Sequence, residues 1–187
     1  MNRASAPSWD RLYEVAESQA GYLTTAQASE AGYSRPLIHH HVRRGRLDRV
    51  SRGIYRLRHF PPSEHEELVV AWLWSGQEGV FSHETALGLH ELSDALPHQV
   101  HMLLPIAWSE RRVRVPDGFR LEYDDVPAAD RCWVGPVPVT NAARTIRDCV
   151  RDHVDPGLVA QAVAEGVERG LFSREQVGTS LPRGANR

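Results

Sequence analysis

Residues 24–57 decide the fold of the first part of the chain, and they read TTAQASEAGYSRPLIHHHVRRGRLDRVSRGIYRL. This stretch predicts two short helices, at about 25–31 and 34–44, which end at Gly32 and Gly45. Neither helix is long enough to be stable alone in water. We therefore expect the two helices to pack on each other and on a further element.

Local signals on either side of these helices predict a small β-hairpin and one more helix. Ser34 is a suitable N-cap, and Pro36 occupies the first turn, where a missing N–H is tolerated. Residues 47–57 surround a Ser-Arg-Gly turn and predict the hairpin. Before the stretch, 9–20 predicts an amphipathic helix and 22–23 a short strand. This order is typical of a winged helix-turn-helix, with the hairpin as the wing.

The second predicted helix has one apolar side and one cationic side. At about 100° per residue, Leu37, Ile38 and His41 share the core face. The opposite face carries cations and hydrogen-bonding groups but no acid, whereas an ordinary solvated face normally mixes both signs. We therefore predict that it binds DNA together with the wing. The predicted DNA-binding residues are Ser34, Arg35, His39, His40, Arg43, Arg44, Arg46, Arg49, Arg52 and Arg56.

The charge is distributed unevenly along the chain. The net charge is −2, yet residues 1–60 carry +5 and residues 61–187 carry −7. The sign changes near Pro61-Pro62, a pair that prevents helix and favours extended backbone. The predicted domains are therefore a DNA-binding domain, 1–60, and a second domain, 61–187. All 22 basic residues are Arg, so no lysine chemistry is available.

The second domain is predicted to be mixed α/β, which makes the whole chain α+β. Helices are expected at 63–75, 83–89, 142–150 and 156–169, and strands at 99–104, 119–126 and 131–139. Residues 1–7 and 181–187 are expected to be disordered. An exposed basic loop with Arg111, Arg112 and Arg114 interrupts the acidic half. This loop is either a secondary contact to DNA or a partner, or an ordinary solvated loop.

Patterns of potential ligands do not predict a metal site or an active site. His83 and His90 are about 10 Å apart along a helix, which is too far for one zinc ion. One predicted strand carries Glu122, Asp124 and Asp125. Carboxylates along a strand usually form a solvated face. We expect no catalytic residue, no metal and no cofactor. Cys132 and Cys149 lack metal-ligand spacing and are expected to be reduced thiols of a cytoplasmic protein.

Four segments together resemble the AbiEi antitoxin family of abortive-infection toxin–antitoxin systems. They are GYLTTAQAxEAGYSR at 21–35, VRRGRLxRVxRGIYR at 42–56, FSHETALGLH at 81–90 and VPVTNAARTIRD at 137–148. The resemblance implies a repressor of its own operon, which binds double-stranded operator DNA at inverted repeats. It also implies a type IV antitoxin that counters a nucleotidyltransferase-like toxin without a stable complex. Within that resemblance, 47–56 corresponds to the wing.

Two alternatives remain beside this interpretation, and a third is excluded. Some relatives carry a nuclease-like domain, but its motif needs a lysine, which this chain lacks. A winged-helix regulator whose second domain senses a ligand or protein, with no toxin partner, would use the same DNA surface. An enzyme built on Glu122, Asp124 and Asp125 or on His83 and Glu84 rests on residue presence alone. The chain has no run of 18 apolar residues and no export signal, so we expect no membrane partner.

Overall fold

The structure is a computed structural model that describes residues 6–94 and 97–178. It is a mixed α/β arrangement with two β-sheets, one in each of two compact units. The first unit extends to Gln77 and the second begins at Glu78. The predicted disorder at 1–7 and 181–187 falls on residues outside the described part, except for Ala6 and Pro7.

The first unit follows the predicted order of helix, strand, two helices and hairpin, and then adds a fourth helix. The elements are α1 (Trp9–Glu17), β1 (Tyr22–Thr24), α2 (Thr25–Glu30), α3 (Arg35–Arg43), β2 (Leu47–Ser51), β3 (Ile54–Leu57) and α4 (Glu66–Trp74). The strands form an antiparallel sheet in the order β1-β3-β2. The short strand before α2 therefore pairs with the hairpin, as expected for Tyr22-Leu23.

Short-range contacts fix the helix starts in this unit. Thr24 and Gln27 form a capping box, in which the Thr24 N–H donates to Gln27 Oε1 at 2.8 Å. Ser34 occupies the N-cap of α3 in extended backbone, but its side chain makes no capping hydrogen bond. The start of α3 thus depends on Pro36 in its first turn rather than on the Ser34 hydroxyl.

The core of the first unit contains side chains from α1 and from every element between β1 and β3. Leu12 of α1, Leu23 of β1, Ile38 of α3 and Leu47 of β2 are almost completely buried in one cluster. Burying each such side chain stabilises the fold by about 1.5–3 kcal/mol. The two short helices are therefore held by this core rather than by their own propensity.

The boundary between the units lies later than the predicted 60/61. Helix α4 belongs to the first unit because it packs on β1 and β3. Its residue Glu66 accepts hydrogen bonds from Tyr22 Oη at 2.9 Å and from Arg56 Nη2 at 2.8 Å. Pro61 and Pro62 interrupt the secondary structure, but the chain after them returns to the same unit.

The second unit is a five-stranded mixed sheet with helices. Its elements are β4 (Val80–Phe81), α5 (His83–Leu89), β5 (Val100–Leu104), β6 (Phe119–Tyr123), β7 (Arg131–Val134), β8 (Val137–Thr140), α6 (Ala142–Arg151), α7 (Pro156–Glu168) and α8 (Arg174–Val177). The strand order is β6-β5-β4-β8-β7. The pairs β5/β6 and β4/β8 are parallel, and β4/β5 and β7/β8 are antiparallel.

Two features of this sheet differ from the sequence prediction. The single strand expected at 131–139 is a hairpin, because Gly135 adopts a φ of 54° and turns the chain between β7 and β8. Strand β4 was not predicted, since its two residues are too few to show an alternating pattern. None of the helices in residues 6–94 and 97–178 is long and apolar enough to cross a membrane.

Candidate nucleic-acid interface

Helix α3 separates its two faces as the sequence predicts. Ile38 is 1% exposed, and His41 is 9% exposed. Arg35, His39 and His40 are exposed on the other side. The exposed residues of the predicted set form what we call the α3–wing surface: Ser34, Arg35, His39, His40, Arg43, Arg44, Arg46, Arg49 and Arg52.

Most guanidinium groups of the α3–wing surface have no acidic partner. Across the residues that the structure describes, no ion pair involves Arg35, Arg43, Arg44, Arg49 or Arg52. Their positive charge is therefore not neutralised within the unit. Cations in this state are available to phosphate groups without first breaking an internal contact.

The β2–β3 hairpin is fixed to α2 by its turn. Gly53 has a φ of 81°, which a residue with a side chain adopts only with strain. Its carbonyl accepts a 2.8 Å hydrogen bond from the Thr25 N–H, at the start of α2. The hairpin register also shifts between Arg49 and Ser51, which is a bulge. Arg52 is exposed at the tip that these contacts hold.

His41 is a core residue, as its helical angle predicted. Its ring centroid lies 5.4 Å from that of Trp9 and 5.4 Å from that of Tyr33. Burial lowers the pKa of His41, and the nearby positive charge of Arg46 lowers it further. The ring is therefore held in its neutral form and supports α3 from inside.

Arg56 was predicted to bind DNA, but the structure gives its guanidinium partners within the first unit. Its side chain is only 17% exposed, and its Nη2 forms a 2.8 Å ion pair with Glu66 Oε1. Its guanidinium also lies 5.5 Å from the centroid of the Tyr22 ring. Residue 56 lies on β3, the central strand of the sheet, and its ion pair with Glu66 directs its side chain to α4.

Two further arginines of the first unit have protein partners. Arg46 remains exposed but lies 5.9 Å from the Trp9 ring centroid, in a cation–π contact. Arg58, next to the hairpin, pairs with Asp48 at 2.6 Å. Arg46 is therefore the least available member of the α3–wing surface, and Arg58 lies outside it.

The predicted secondary basic loop belongs to the second unit. Arg111, Arg112 and Arg114 are all exposed. The guanidinium of Arg111 lies 4.4 Å from the Trp108 ring centroid. Arg112 and Arg114 make no ion pair with any residue that the structure describes. The role of this loop in binding DNA or a partner stays a prediction.

The second unit assembles a side-chain cluster that the sequence analysis missed. His83 Nε2 lies 2.7 Å from Asp152 Oδ2 and 3.8 Å from Glu122 Oε2. One donor atom from each residue lies within 4.8 Å of the others, a grouping that could hold a metal ion. From the sequence, His90 was the residue considered as a second ligand beside His83, at a spacing too long for one ion. In the structure, His90 Nε2 contacts the Thr140 carbonyl oxygen at 2.7 Å.

Other residues considered for catalysis are engaged in the fold. Asp124 pairs with Arg144, and Asp125 Oδ1 accepts from the Ile106 N–H at 3.1 Å. Burial raises the pKa of the Cys149 thiol to about 12, which keeps it protonated at neutral pH. Cys132 and Cys149 are both free thiols.

Comparison with known structures supports the fold. The crystal structure of RV2827C protein from Mycobacterium tuberculosis is similar, with a TM-score of 0.51 and 17% sequence identity. The match covers 93% of this chain and 71% of that one. At this identity the likeness concerns the fold alone. No curated protein matches the chain.

Comparison with protein families identifies the segment that carries the α3–wing surface. Residues 10–58 match the family described as "Transcriptional regulator, AbiEi antitoxin". The matched residues run from α1 through β3 and thus include both predicted segments of the first unit, 21–35 and 42–56. The resemblance seen in the sequence is confirmed for this part of the chain, because residues 10–58 match the model of the AbiEi antitoxin family of transcriptional regulators.

Proposed function

We propose that the first unit is a winged helix-turn-helix that binds double-stranded DNA and represses its own operon. In this proposal α3 enters the major groove and the β2–β3 hairpin is the wing. An α-helix with its side chains is about 10–12 Å across, which suits a major groove about 12 Å wide. The single observation that carries the proposal is the α3–wing surface, which is exposed, cationic and, among the residues that the structure describes, without acidic partners.

The residues of this surface have different roles in the proposal. Arg43 and Arg44, in the last turn of α3, and Arg52, at the wing tip, contact phosphates or the minor groove. His39 and His40, on the exposed face of α3, contact base edges and select the operator. A dimer would pair two half-sites, so we expect the operator to be an inverted repeat.

The second unit supplies antitoxin activity in this proposal. The match of residues 10–58 to the AbiEi antitoxin family model supports an antitoxin regulator of the abortive-infection type. The toxin would be nucleotidyltransferase-like and would be countered without a stable complex. Residues 78–187 contain 12 Arg and 16 acids and so carry −4, which makes them repel DNA on average and suits a role separate from operator binding.

The two activities can be separated by one variant. It combines Arg35→Ala, His39→Ala, Arg43→Ala and Arg52→Ala, all at exposed positions. It is co-expressed with the toxin gene that neighbours this gene, beside a promoter reporter. We expect loss of repression and retention of growth rescue.

A matched control shows that the variant tests DNA contacts rather than folding. The pair Asp48→Asn and Arg58→Gln lies in the same unit and removes a charge pair outside the surface. It should retain both repression and rescue. If rescue disappears in a folded four-residue variant, antitoxin activity runs through DNA binding and the division is wrong. Absence of a toxin gene nearby would contradict the antitoxin part.

A further inference from the structure

The second unit contains a histidine and two carboxylates that come from three different elements. His83 lies at the start of α5, Glu122 on β6, and Asp152 directly after α6. The His83 side chain is 2% exposed, whereas those of Glu122 and Asp152 are 28% and 26% exposed. The cluster therefore has a buried nitrogen on one side and carboxylates that open to solvent on the other.

The spacing of the donor atoms is close to that of a metal site. A tetrahedral ion with bonds of about 2.0–2.1 Å holds its ligand atoms about 3.3 Å apart. The separations from His83 Nε2 are 2.7 Å to Asp152 and 3.8 Å to Glu122, one below and one above that value. Side-chain movements of about half an ångström would bring both to the required distance.

Neighbouring groups prepare the histidine for coordination. His83 Nδ1 lies 2.9 Å from Ser82 Oγ, so it can donate its hydrogen there and leave the Nε2 lone pair free. The same arrangement holds the ring orientation. A ligand histidine with its second nitrogen fixed by an oxygen is the usual situation in metal sites.

Two arginines contact the carboxylates of the cluster, and only one of them contacts an oxygen that a cation would need. Arg120 Nε contacts Glu122 Oε1 at 3.0 Å, while Oε2 is the oxygen nearest to His83. Arg151 contacts Asp152 Oδ2 at 3.0 Å, so it must release that oxygen. Arg151 can do so because it also contacts Asp148 at 3.1 Å and is half exposed.

A buried polar atom without a described hydrogen-bond partner lies on a residue next to this cluster. The His101 ring centroid lies 5.4 Å from that of His83, and the His101 side chain is 6% exposed. Its Nε2 lies 3.3 Å from Glu84 Oε2, but its buried Nδ1 has no hydrogen-bond partner among the described residues. Such an orphaned polar atom is costly in a protein interior. Water held by a metal ion would be a partner that the polypeptide does not supply.

We propose that His83, Glu122 and Asp152 bind one divalent first-row transition-metal ion, of which Zn²⁺ is the best fit to one nitrogen and two carboxylate oxygens. Two carboxylates and a neutral imidazole balance the charge of the ion. Three protein ligands leave at least one position for water or for a ligand from outside. The site is separate from the proposed DNA-binding unit.

The test is metal binding by the full-length chain after treatment with a chelator. Zn²⁺ affinity is measured by competition with a chromogenic chelator, and coordination by the visible absorption of the Co²⁺-loaded protein. We expect one equivalent to bind. Asp152→Asn and Glu122→Gln should each weaken binding at least about 100-fold, and Ser82→Ala about 10- to 100-fold. Asp117→Asn removes an exposed carboxylate outside the cluster and should change nothing.

Controls must separate this site from surface histidines and from misfolding. The consecutive histidines of α3 are another potential Zn²⁺ ligand set, so His39→Ala with His40→Ala is measured in parallel and should retain the bound equivalent. Circular dichroism reports whether each variant is folded. Glu122→Gln changes the most solvent-accessible ligand and is the variant least expected to disturb the fold. The proposal is overturned if the wild type binds no stoichiometric ion, or if the bound ion is lost with His39 and His40 rather than with Glu122 or Asp152.

Discussion

Removal of two unpaired arginines from the α3–wing surface should change how DNA binding depends on salt. The perturbation is Arg43→Ala combined with Arg52→Ala, one position on α3 and one at the wing tip. Neither guanidinium has an acidic partner among the described residues, so both charges face the ligand uncompensated. Neither side chain is buried, so the change should leave the fold intact.

The size of the effect follows from the release of counterions. Each phosphate contact contributes about −0.9 to the slope of log K against log salt concentration. Two lost contacts should therefore make the slope shallower by about 1.8 for each protein chain bound. Between 50 and 200 mM salt, the wild type should therefore lose about tenfold more affinity for DNA than the double variant does. Fluorescence anisotropy with a labelled duplex at four salt concentrations would resolve it.

A charge-neutral control in the same unit shows which result would contradict this prediction. Asp48→Asn with Arg58→Gln removes an exposed arginine of the same unit together with its 2.6 Å partner, and leaves the net charge unchanged. Its slope should equal that of the wild type. If the control shifts the slope as much as the Arg43 and Arg52 variant, or if neither variant shifts it, the surface is wrongly assigned.

Three further predictions concern base selection, pH and packing. His39→Ala or His40→Ala should change operator preference, with a loss of binding free energy of about 1–3 kcal/mol at particular base pairs. A selection from random duplexes measures this preference. Unchanged preference in both variants would contradict contact with the bases. Burial lowers the pKa of His41 below its ordinary value of 6.5, so the unfolded chain takes up the proton first as the pH falls. The free energy of unfolding should therefore decrease below that pH. Urea unfolding at pH 7.5 and 5.5 should show a smaller decrease for His41→Gln than for the wild type. Gly21 has a φ of 86°, and a Cβ added there would lie 2.6 Å from the Phe60 ring. Gly21→Ala should therefore lower the free energy of unfolding in urea by about 2–4 kcal/mol. Gly118→Ala should lower it less, because Gly118 has a similar φ of 81° but no atom of the described residues within 4 Å of an added Cβ.

The elements of the first unit could be predicted because their signals are local. Thr24 caps α2, Gly45 ends α3, and Gly53 makes the hairpin turn, each within a few residues of the element it defines. The cationic face of α3 also follows from helical angle alone. The sequence therefore predicted the order of these elements, and nine of its ten predicted DNA-binding residues are exposed.

The errors arose where a contact depends on residues distant in the sequence. Arg56 belongs to a basic motif, but its role is decided by Glu66 on a helix that was assigned to the other domain. The cluster of His83, Glu122 and Asp152 depends on strand order and on the end of α6, neither of which has a local signal. The turn at Gly135 was hidden because apolar residues continue on both sides of it.

Footprinting of the upstream region of its own gene at physiological salt tests the central claim most directly. The account predicts one or more protected inverted-repeat half-sites, each read by one copy of the α3–wing surface. Protection should be lost in the variant that combines Arg35→Ala, His39→Ala, Arg43→Ala and Arg52→Ala. It should be retained in the Asp48→Asn and Arg58→Gln control. Absence of any protected region with the wild-type protein, or equal protection by the four-residue variant, would contradict the account.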